Sequence, residues 1–366
     1  MFDVNDTNDH PGPRWRIRRL SPPDEAALPH LYSAVIGCFD LKHWRWLFRE
    51  NPSGHGTIWI AETIGKKEIV GQYAVVPTQL IVQGESIPGA QALRLMTHPA
   101  YRKQGIFKNL ARSVFDDCAE KGIDLVYGFP NPNSTHGHFK YLEFFMLCQP
   151  TLYSRPLDFA ALLKVKLKKG YLSNLLGLVL NAIYKPLFIW RAAKANPDIE
   201  VMCVERFPGE IEKLCRNYNK AFKNMVARSV RYLNWRYSER PDRSYRIYIA
   251  SKNGEPLGYC VYGHAEREGI KIGLIMDLYA DGHDSATLTT LVNHMLHDME
   301  KEKDALAACL LQPKSPMLGT LRKCGFVFPL RRFPPLILRL NTGRLKRCEI
   351  DNLDDWHITF GDADFV

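Results

Sequence analysis

The chain has 366 residues, 46% of them hydrophobic and 24% charged, proportions of a globular protein long enough for two domains with separate cores. Its formal net charge of +10 favours an anionic partner, whether coenzyme, nucleic acid or lipid head groups, without choosing among them. Nine cysteines stand singly with no Cys-x-x-Cys pair, which argues against a disulfide framework or a zinc site. Together with an acidic start (Asp3, Asp6, Asp9) unlike a signal peptide, they lead us to expect a cytoplasmic protein.

Residues 1–13 read as a lead-in, 14–20 as a short strand, and 24–35 as a helix introduced by Ser21-Pro22-Pro23. Leu41 to Pro52 is aromatic and basic and closes on a proline turn, and strands follow at 57–62 and 69–80. The apolar run Ala92-Leu93-Arg94-Leu95-Met96 reads as another strand, stopped by Pro99, which cannot donate to a ladder. From Ile106 apolar residues recur at helical spacing (Phe107, Leu110, Ala111, Val114, Phe115, Cys118), and Lys121-Gly122 supplies the stop. A strand at 123–129 and a polar turn leading to a helix near Ser134 complete the order β-α-α-β-β-β-α-β-α-β up to Gln149.

The turn from Thr97 to Phe107 reads either as a surface turn with scattered charges or as a site for an anion. The first N–H groups of a helix lack partners within it, and the helix dipole favours negative charge there. Gly105 removes the side chain that would keep a phosphate from the backbone, while Arg102, Lys103 and Lys108 add positive charge. The stretch Arg102-Lys103-Gln104-Gly105-Ile106-Phe107, matching at Arg102 and Gly105 and departing at Phe107, resembles the acyl-CoA loop of the GNAT N-acetyltransferase superfamily. Met96-Thr97-His98-Pro99 resembles that family's preceding strand end.

The resemblance implies an α/β fold of the α+β mixed-sheet kind and acetyl-CoA or another acyl-CoA as co-substrate, without a metal. It also implies a coenzyme pyrophosphate on the N–H groups of Lys103, Gln104, Gly105, Ile106, Phe107 and Lys108, with the pantetheine arm along Leu95, Met96 and Thr97. The family's general acid is a tyrosine at the position that Phe139 occupies here.

Acyl transfer from a thioester to an amine needs a base for the amine, donors for the oxyanion and a proton for the thiolate. Backbone N–H groups of residues 94–97 are candidates for the oxyanion. His136, His138 and Tyr141 are candidate acids or bases, since they follow a strand end where ligands collect in open α/β sheets. Asn131, Asn133 and Ser134 could hold coenzyme or substrate; the competing reading is a polar turn that caps a helix, with its histidines in solvent. His98, at the strand end, is a further candidate base, and Gln72 and Tyr73 could line the amine pocket. His136-x-His138 has no further ligand types clustered nearby to make a metal site.

An internal repeat organises the rest. Trp46-x-Phe48-x-Glu50-x-Pro52 recurs as Trp235-x-Tyr237-x-Glu239-x-Pro241, and each copy is followed by a pair of strands. A helix stripe reappears as Leu288, Leu291, Val292, Met295 and Met299, and a shift of 180 residues, which brings Phe115 onto Met295, replaces the cationic turn by Asp281-Gly282-His283-Asp284-Ser285. The expectation is therefore two tandem GNAT-like domains, 14–155 and a degenerate 198–342, joined by a helical connector at 156–197 and followed by an acidic segment, 343–366. The basic, apolar stretch 164–194 is too interrupted to span a bilayer and reads as a connector helix or as a helix on a membrane surface. The expected activity is acyl transfer from CoA to a primary amine in the first domain, with no DNA partner. Paired domains of this kind also resemble the FemAB-type transferases, which would bring aminoacyl-tRNA, and a non-catalytic acyl-CoA-binding module is the third alternative.

Overall fold

The computed structural model describes residues 14–167, 175–184, 195–281 and 284–363. Its first part follows the expected order: β1 (Trp15–Arg19), α1 (Leu28–Ile36), α2 (Leu41–Phe48), β2 (Thr57–Thr63), β3 (Ile69–Val82), β4 (Glu85–Thr97), α3 (Ile106–Glu120), β5 (Leu125–Gly128), α4 (Pro132–Tyr141) and β6 (Phe145–Cys148). β4 begins seven residues before the apolar run that marks it in the sequence, because Gln83 (φ 52°) and Gly84 (φ 81°) close a two-residue hairpin with β3. The expected helical stripe is the buried face of α3, with Ile106, Leu110, Ala111, Val114, Phe115 and Cys118 all in the core under the sheet. α1 and α2 cover the opposite face through Leu28, Leu31, Trp44 and Phe48.

The chain continues through β7 (Thr151–Pro156), α5 (Phe159–Leu167), α6 (175–184), β8 (Glu200–Val204), α7 (Glu212–Ala221), β9 (Met225–Val226), α8 (Val230–Leu233), β10 (Arg246–Lys252), β11 (Glu255–Arg267), β12 (Ile270–Ala280), α9 (Ser285–Lys301), β13 (Leu306–Leu311), α10 (Leu318–Lys323), β14 (Phe328–Arg332) and β15 (Leu336–Leu340). Two mixed α/β sheets result. One runs β1-β2-β3-β4-β5-β15-β6 with β9 on β3, the other β14-β7-β13-β12-β11-β10-β8. Within them β4–β5 and β12–β13 are the parallel pairs.

The sheets trade one strand each. β7 leaves the first half to pair between β13 and β14, and β15 returns from the second half to pair between β5 and β6. Boundaries at 155 and 342 thus follow the chain and not the sheets, since each exchanged strand satisfies backbone groups that would otherwise be an exposed edge of the other sheet. The acidic end also differs from its composition. Trp356, Ile358, Phe360 and Ala363 are buried, and the short turn Phe360–Asp362 packs against both β12 and β13. Of the stretch 164–194, residues 168–174 and 185–194 lie outside the described ones. α6 exposes Leu175, Leu178 and Ile183, and among the described residues no helix is long and apolar enough to cross a membrane.

Candidate active site

The first half opens where β4 parts from its neighbours. On the β3 side, Gln72 pairs with Met96 and Ala74 with Leu93, so Arg94 and Leu95 together oppose Tyr73 alone, a β-bulge with Arg94 at φ 51°. On the β5 side, pairing ends at Ala92 and Gly128, although β4 runs on to Thr97. The edge of residues 93–97 therefore turns unpaired backbone groups toward a cavity of about 140 Å³, lined by Tyr73, Leu95, Met96, Asn131, Ser134 and His138 among others.

Beyond the strand, Lys103 (φ 63°) and Gly105 (φ 83°) bring the chain into α3 through left-handed backbone. Gly105 adopts this conformation without Cβ strain, and its carbonyl accepts from the N–H groups of Lys108 and Asn109, which start the helical ladder. The N–H groups of Ile106 and Phe107 precede that ladder, as an anion at a helix start requires. Arg102, Lys103, Gln104 and Lys108 are exposed around them. Ile106 sends its side chain into the core and has only its backbone to offer. Phe107 lies away from the turn: its ring rests on Gly137 of α4, where a Cβ would stand 2.9 Å from it. A bulky residue in the loop is thus matched by a missing side chain on the facing helix.

The corresponding helix start in the second half is already filled. Gly282 and His283 of its turn lie outside the described residues. Asp284 caps α9, its carboxylate accepting from the N–H groups of Ala286 and Thr287 and from the Thr287 hydroxyl. That carboxylate satisfies the donors a phosphate would use.

His138 is the histidine that reaches the cavity. It is buried; its Nδ1–H donates to the Ser134 carbonyl at 2.8 Å, and its Nε2 stands 3.3 Å from the Tyr73 hydroxyl. Burial pushes the His138 imidazole down against the helix carbonyl that pulls it up, and burial pushes the Tyr73 phenol far up. Both groups are neutral near pH 7, with the Tyr73 O–H donating to Nε2. Asn131 caps α4, its side chain accepting from the Ser134 N–H.

The other candidates do not join them. His98 accepts from the Ala100 N–H at 3.3 Å and stacks on His30 of α1, with 5.9 Å between ring centres. His136 and Asn133 are exposed, as is Phe139, and the exposed ring of Tyr141 lies 3.8 Å below the Lys108 ammonium. His136 is exposed whereas His138 is buried. Gln72 and Tyr73 alternate across β3. Tyr73 lines the cavity, while Gln72 is buried on the opposite face and donates to the Tyr32 hydroxyl at 3.0 Å, so the two do not share an amine pocket.

A larger cavity, about 480 Å³, lies on the α1–α2 face and draws on both halves, with Tyr32, Asp40, His43, Trp44, Arg240 and Asp242 in its wall. It shares Ile36 and Arg94 with the first cavity, so the bulge in β4 is the partition between them. Sequence reasoning used only the backbone of Arg94 and passed over its side chain, His43 and Asp242. The available signal was that His43 and Asp242 flank the two copies of the Trp-x-Phe/Tyr-x-Glu-x-Pro repeat.

Residues 16–141 match the model of the acetyltransferase (GNAT) domain. Solved structures with a similar fold include a GCN5-related N-acetyltransferase from Anabaena variabilis (TM-score 0.64, 11% identity, 89% of this chain and 73% of that one). Another is a conserved protein of unknown function from Enterococcus faecalis described as a probable N-acyltransferase (0.64, 14%, 90% and 72%). A third is a GCN5-related N-acetyltransferase from Kribbella flavida (0.59, 14%, 90% and 71%). None of the curated proteins compared with it matches the chain in sequence. The splayed β4, the cationic turn before α3 and the matched family model agree: residues 16–141 are similar to a GNAT acetyltransferase domain, which supports a GNAT-type acyltransferase.

Proposed function

We propose that the chain transfers an acyl group, acetyl in the simplest case, from CoA to a primary amine, and that the chemistry occurs in the first half. The observation that carries this is the parting of β4 from β5 after Ala92 and Gly128, between the turn at Gly105 and the His138–Tyr73 pair. A thioester laid in this opening meets backbone N–H groups of residues 93–97 that can stabilise the oxyanion. The turn suits a pyrophosphate, with early helix N–H groups, Arg102, Lys103 and Lys108 around it. His138 and Tyr73 stand at the thioester end, where a neutral phenol could supply the thiolate's proton.

The second half supports the same assignment by contrast. Its parallel strands β12 and β13 stop pairing at Ile275 and Cys309, but Phe360–Asp362 fills the space beyond, and Asp284 occupies the helix start. Both halves read as copies of one unit in which the second has kept its packing and lost its coenzyme site.

Acetyl-CoA should raise the melting temperature of the protein, and Arg102→Glu should abolish that rise while leaving the fold intact by circular dichroism. Unchanged coenzyme binding in the variant rejects the loop assignment. Salt-sensitive binding of tRNA with no response to acetyl-CoA replaces it by an aminoacyl-tRNA reading. Acetyl-CoA binding without thiol release in the presence of any amine leaves a binding module.

A further inference from the structure

The cavity on the α1–α2 face holds a pair of side chains from distant parts of the chain in an arrangement suited to proton abstraction. His43, in α2, places Nδ1 2.9 Å from Oδ1 of Asp242, which follows the second copy of the tryptophan repeat. Arg240 holds the same carboxylate, with Nε 2.8 Å from Oδ1 and Nη2 3.1 Å from Oδ2. Arg240 is itself buried and donates to the Tyr245 hydroxyl, so the carboxylate sits against a fixed cation. Burial pushes the Asp242 carboxyl up, but the hydrogen bonds from Arg240 and His43 outweigh it and hold it below the usual carboxylate range.

An ionised carboxylate can only accept. The proton of a neutral His43 therefore sits on Nδ1, and the lone pair sits on Nε2. The ring is 17% exposed in the wall of the cavity, and the described hydrogen bonds leave Nε2 without a partner. Burial lowers the basicity of the imidazole, the bond to Asp242 restores part of it, and the charges of Arg240 and Arg94 lower it again. Asp40 and Arg243 complete the charged groups in the wall, and Asp40 is engaged in capping α2 through the N–H groups of Lys42 and His43.

We infer, on the acyltransferase reading above, that this cavity receives the acceptor amine and that His43 Nε2, oriented by Asp242, is the base that takes its proton. The cavity meets the acyl opening at Arg94 and Ile36, so an amine held there approaches the thioester from the face of β4 opposite α3. As the amine nitrogen bonds to the carbonyl carbon, its N–H proton passes to Nε2. The C–S bond then breaks with its electron pair on sulfur, the thiolate takes the Tyr73 O–H proton, which solvent replaces, and His43 returns its own to solvent. The products are an amide and free CoA thiol. Asp242 acts as a positioning residue: it fixes the tautomer and steadies the imidazolium. The base therefore comes from one half and its orienting carboxylate from the other, which makes the second half part of the active site although it holds no coenzyme.

The test uses the full chain. Thiol release from acetyl-CoA is followed with glycinamide, spermidine and glucosamine as acceptors, alongside the melting shift that acetyl-CoA produces. His43→Ala should keep the melting shift, lose about 10²-fold or more in kcat, and recover part of it when imidazole is added. Asp242→Asn should lose a similar factor and move the acid limb of the pH profile. Activity of His43→Ala within twofold of the parent, or a loss that imidazole does not relieve in a folded variant, overturns the inference. If the parent protein binds acetyl-CoA and releases no thiol, the acyltransferase reading itself fails. The protonation state is read independently by nitrogen NMR of the labelled imidazoles. His43 should be the Nδ1–H tautomer at pH 7, with its titration moved down from the ordinary histidine value by burial, and an Nε2–H tautomer overturns the proposal.

Discussion

Trp46 and Trp235 stack with 4.7 Å between ring centres and 16° between planes, and each indole donates to the backbone carbonyl of the other, at 2.8 and 3.1 Å. Both are buried, and both are the first residue of a Trp-x-Phe/Tyr-x-Glu-x-Pro segment. A reciprocal contact, residue to residue and back, is what a two-fold interface between equivalent surfaces produces. Here it lies within one chain, beside the cavity that His43 and Asp242 line. The two Trp-x-Phe/Tyr-x-Glu-x-Pro segments thus meet at this contact, and β7 and β15 tie the earlier and later parts of the chain elsewhere.

Replacing either indole should therefore cost more than its volume. Trp235→Phe keeps most of the stack but strands the Trp46 carbonyl, and should destabilise the protein by about 1–3 kcal/mol. Trp235→Ala should cost roughly 3–5 kcal/mol. In urea unfolding, the double variant Trp46→Phe, Trp235→Phe should fall short of the sum of the single costs, since the two rings stack on each other and each substitution weakens that shared contact. Simple additivity would show that the pair does not act as a unit.

The match of Phe107 with Gly137 makes a second expectation. Alanine at 137 gains helix propensity of about 1 kcal/mol, but its Cβ meets the Phe107 ring at 2.9 Å, and overpacking of that kind costs about 1–3 kcal/mol. Gly137→Ala should therefore be neutral to destabilising and should weaken the melting shift caused by acetyl-CoA, because the displaced ring moves toward the turn at Gly105. Phe107→Leu in the same chain should restore both. Restoration in neither would mean that Phe107 and Gly137 are not coupled.

The turn at Gly105 and the order of elements around it were legible because they rest on local signals: a glycine at φ 83°, clustered cations and a stripe of period 3.6. The strand exchange was not legible, since no local signal in 151–156 or 336–340 says which sheet will accept it. Nor was the His43–Asp242 pair, whose members lie 199 residues apart. His138 was singled out together with His98, His136 and Tyr141, and only packing separates them: α4 turns His138 inward beside Tyr73 and leaves His136 on its outer face. The C-terminal segment is acidic in composition, and the alternation Trp356, Ile358, Phe360 among its aspartates enters the core.

That buried end is held by charge. Arg228, fully buried, reaches Asp277 on β12 at 2.8 Å, Asp362 at 2.8 Å and the Val226 carbonyl at 2.7 Å, with the Tyr218 and Tyr259 hydroxyls also directed at Asp277. Arg228→Met leaves two buried carboxylates without their cation and should destabilise the protein by roughly 3–5 kcal/mol in urea unfolding. Adding Asp277→Asn and Asp362→Asn to that variant should recover part of the loss. No recovery would mean that the arginine's bond to the Val226 carbonyl, rather than its charge, is what matters.

Acid should loosen the fold through its neutral histidines. Burial holds His138 below the ordinary 6.5, and burial likewise lowers His43 despite its bond to Asp242. In the unfolded chain both bind a proton near pH 6.5, whereas in the folded chain they do not, so the unfolded state takes up more protons and stability falls as the pH drops below that value. The window opens at about pH 6.5 and closes at the folded pKa values, where the folded protein is protonated as well. Melting temperatures measured from pH 8 to pH 5 should decline across it, and His138→Gln, which cannot titrate, should flatten part of the decline whatever it costs at pH 8. A curve for His138→Gln parallel to that of the parent would show that the buried imidazole beside Tyr73 takes up its proton in the folded protein as readily as in the unfolded one.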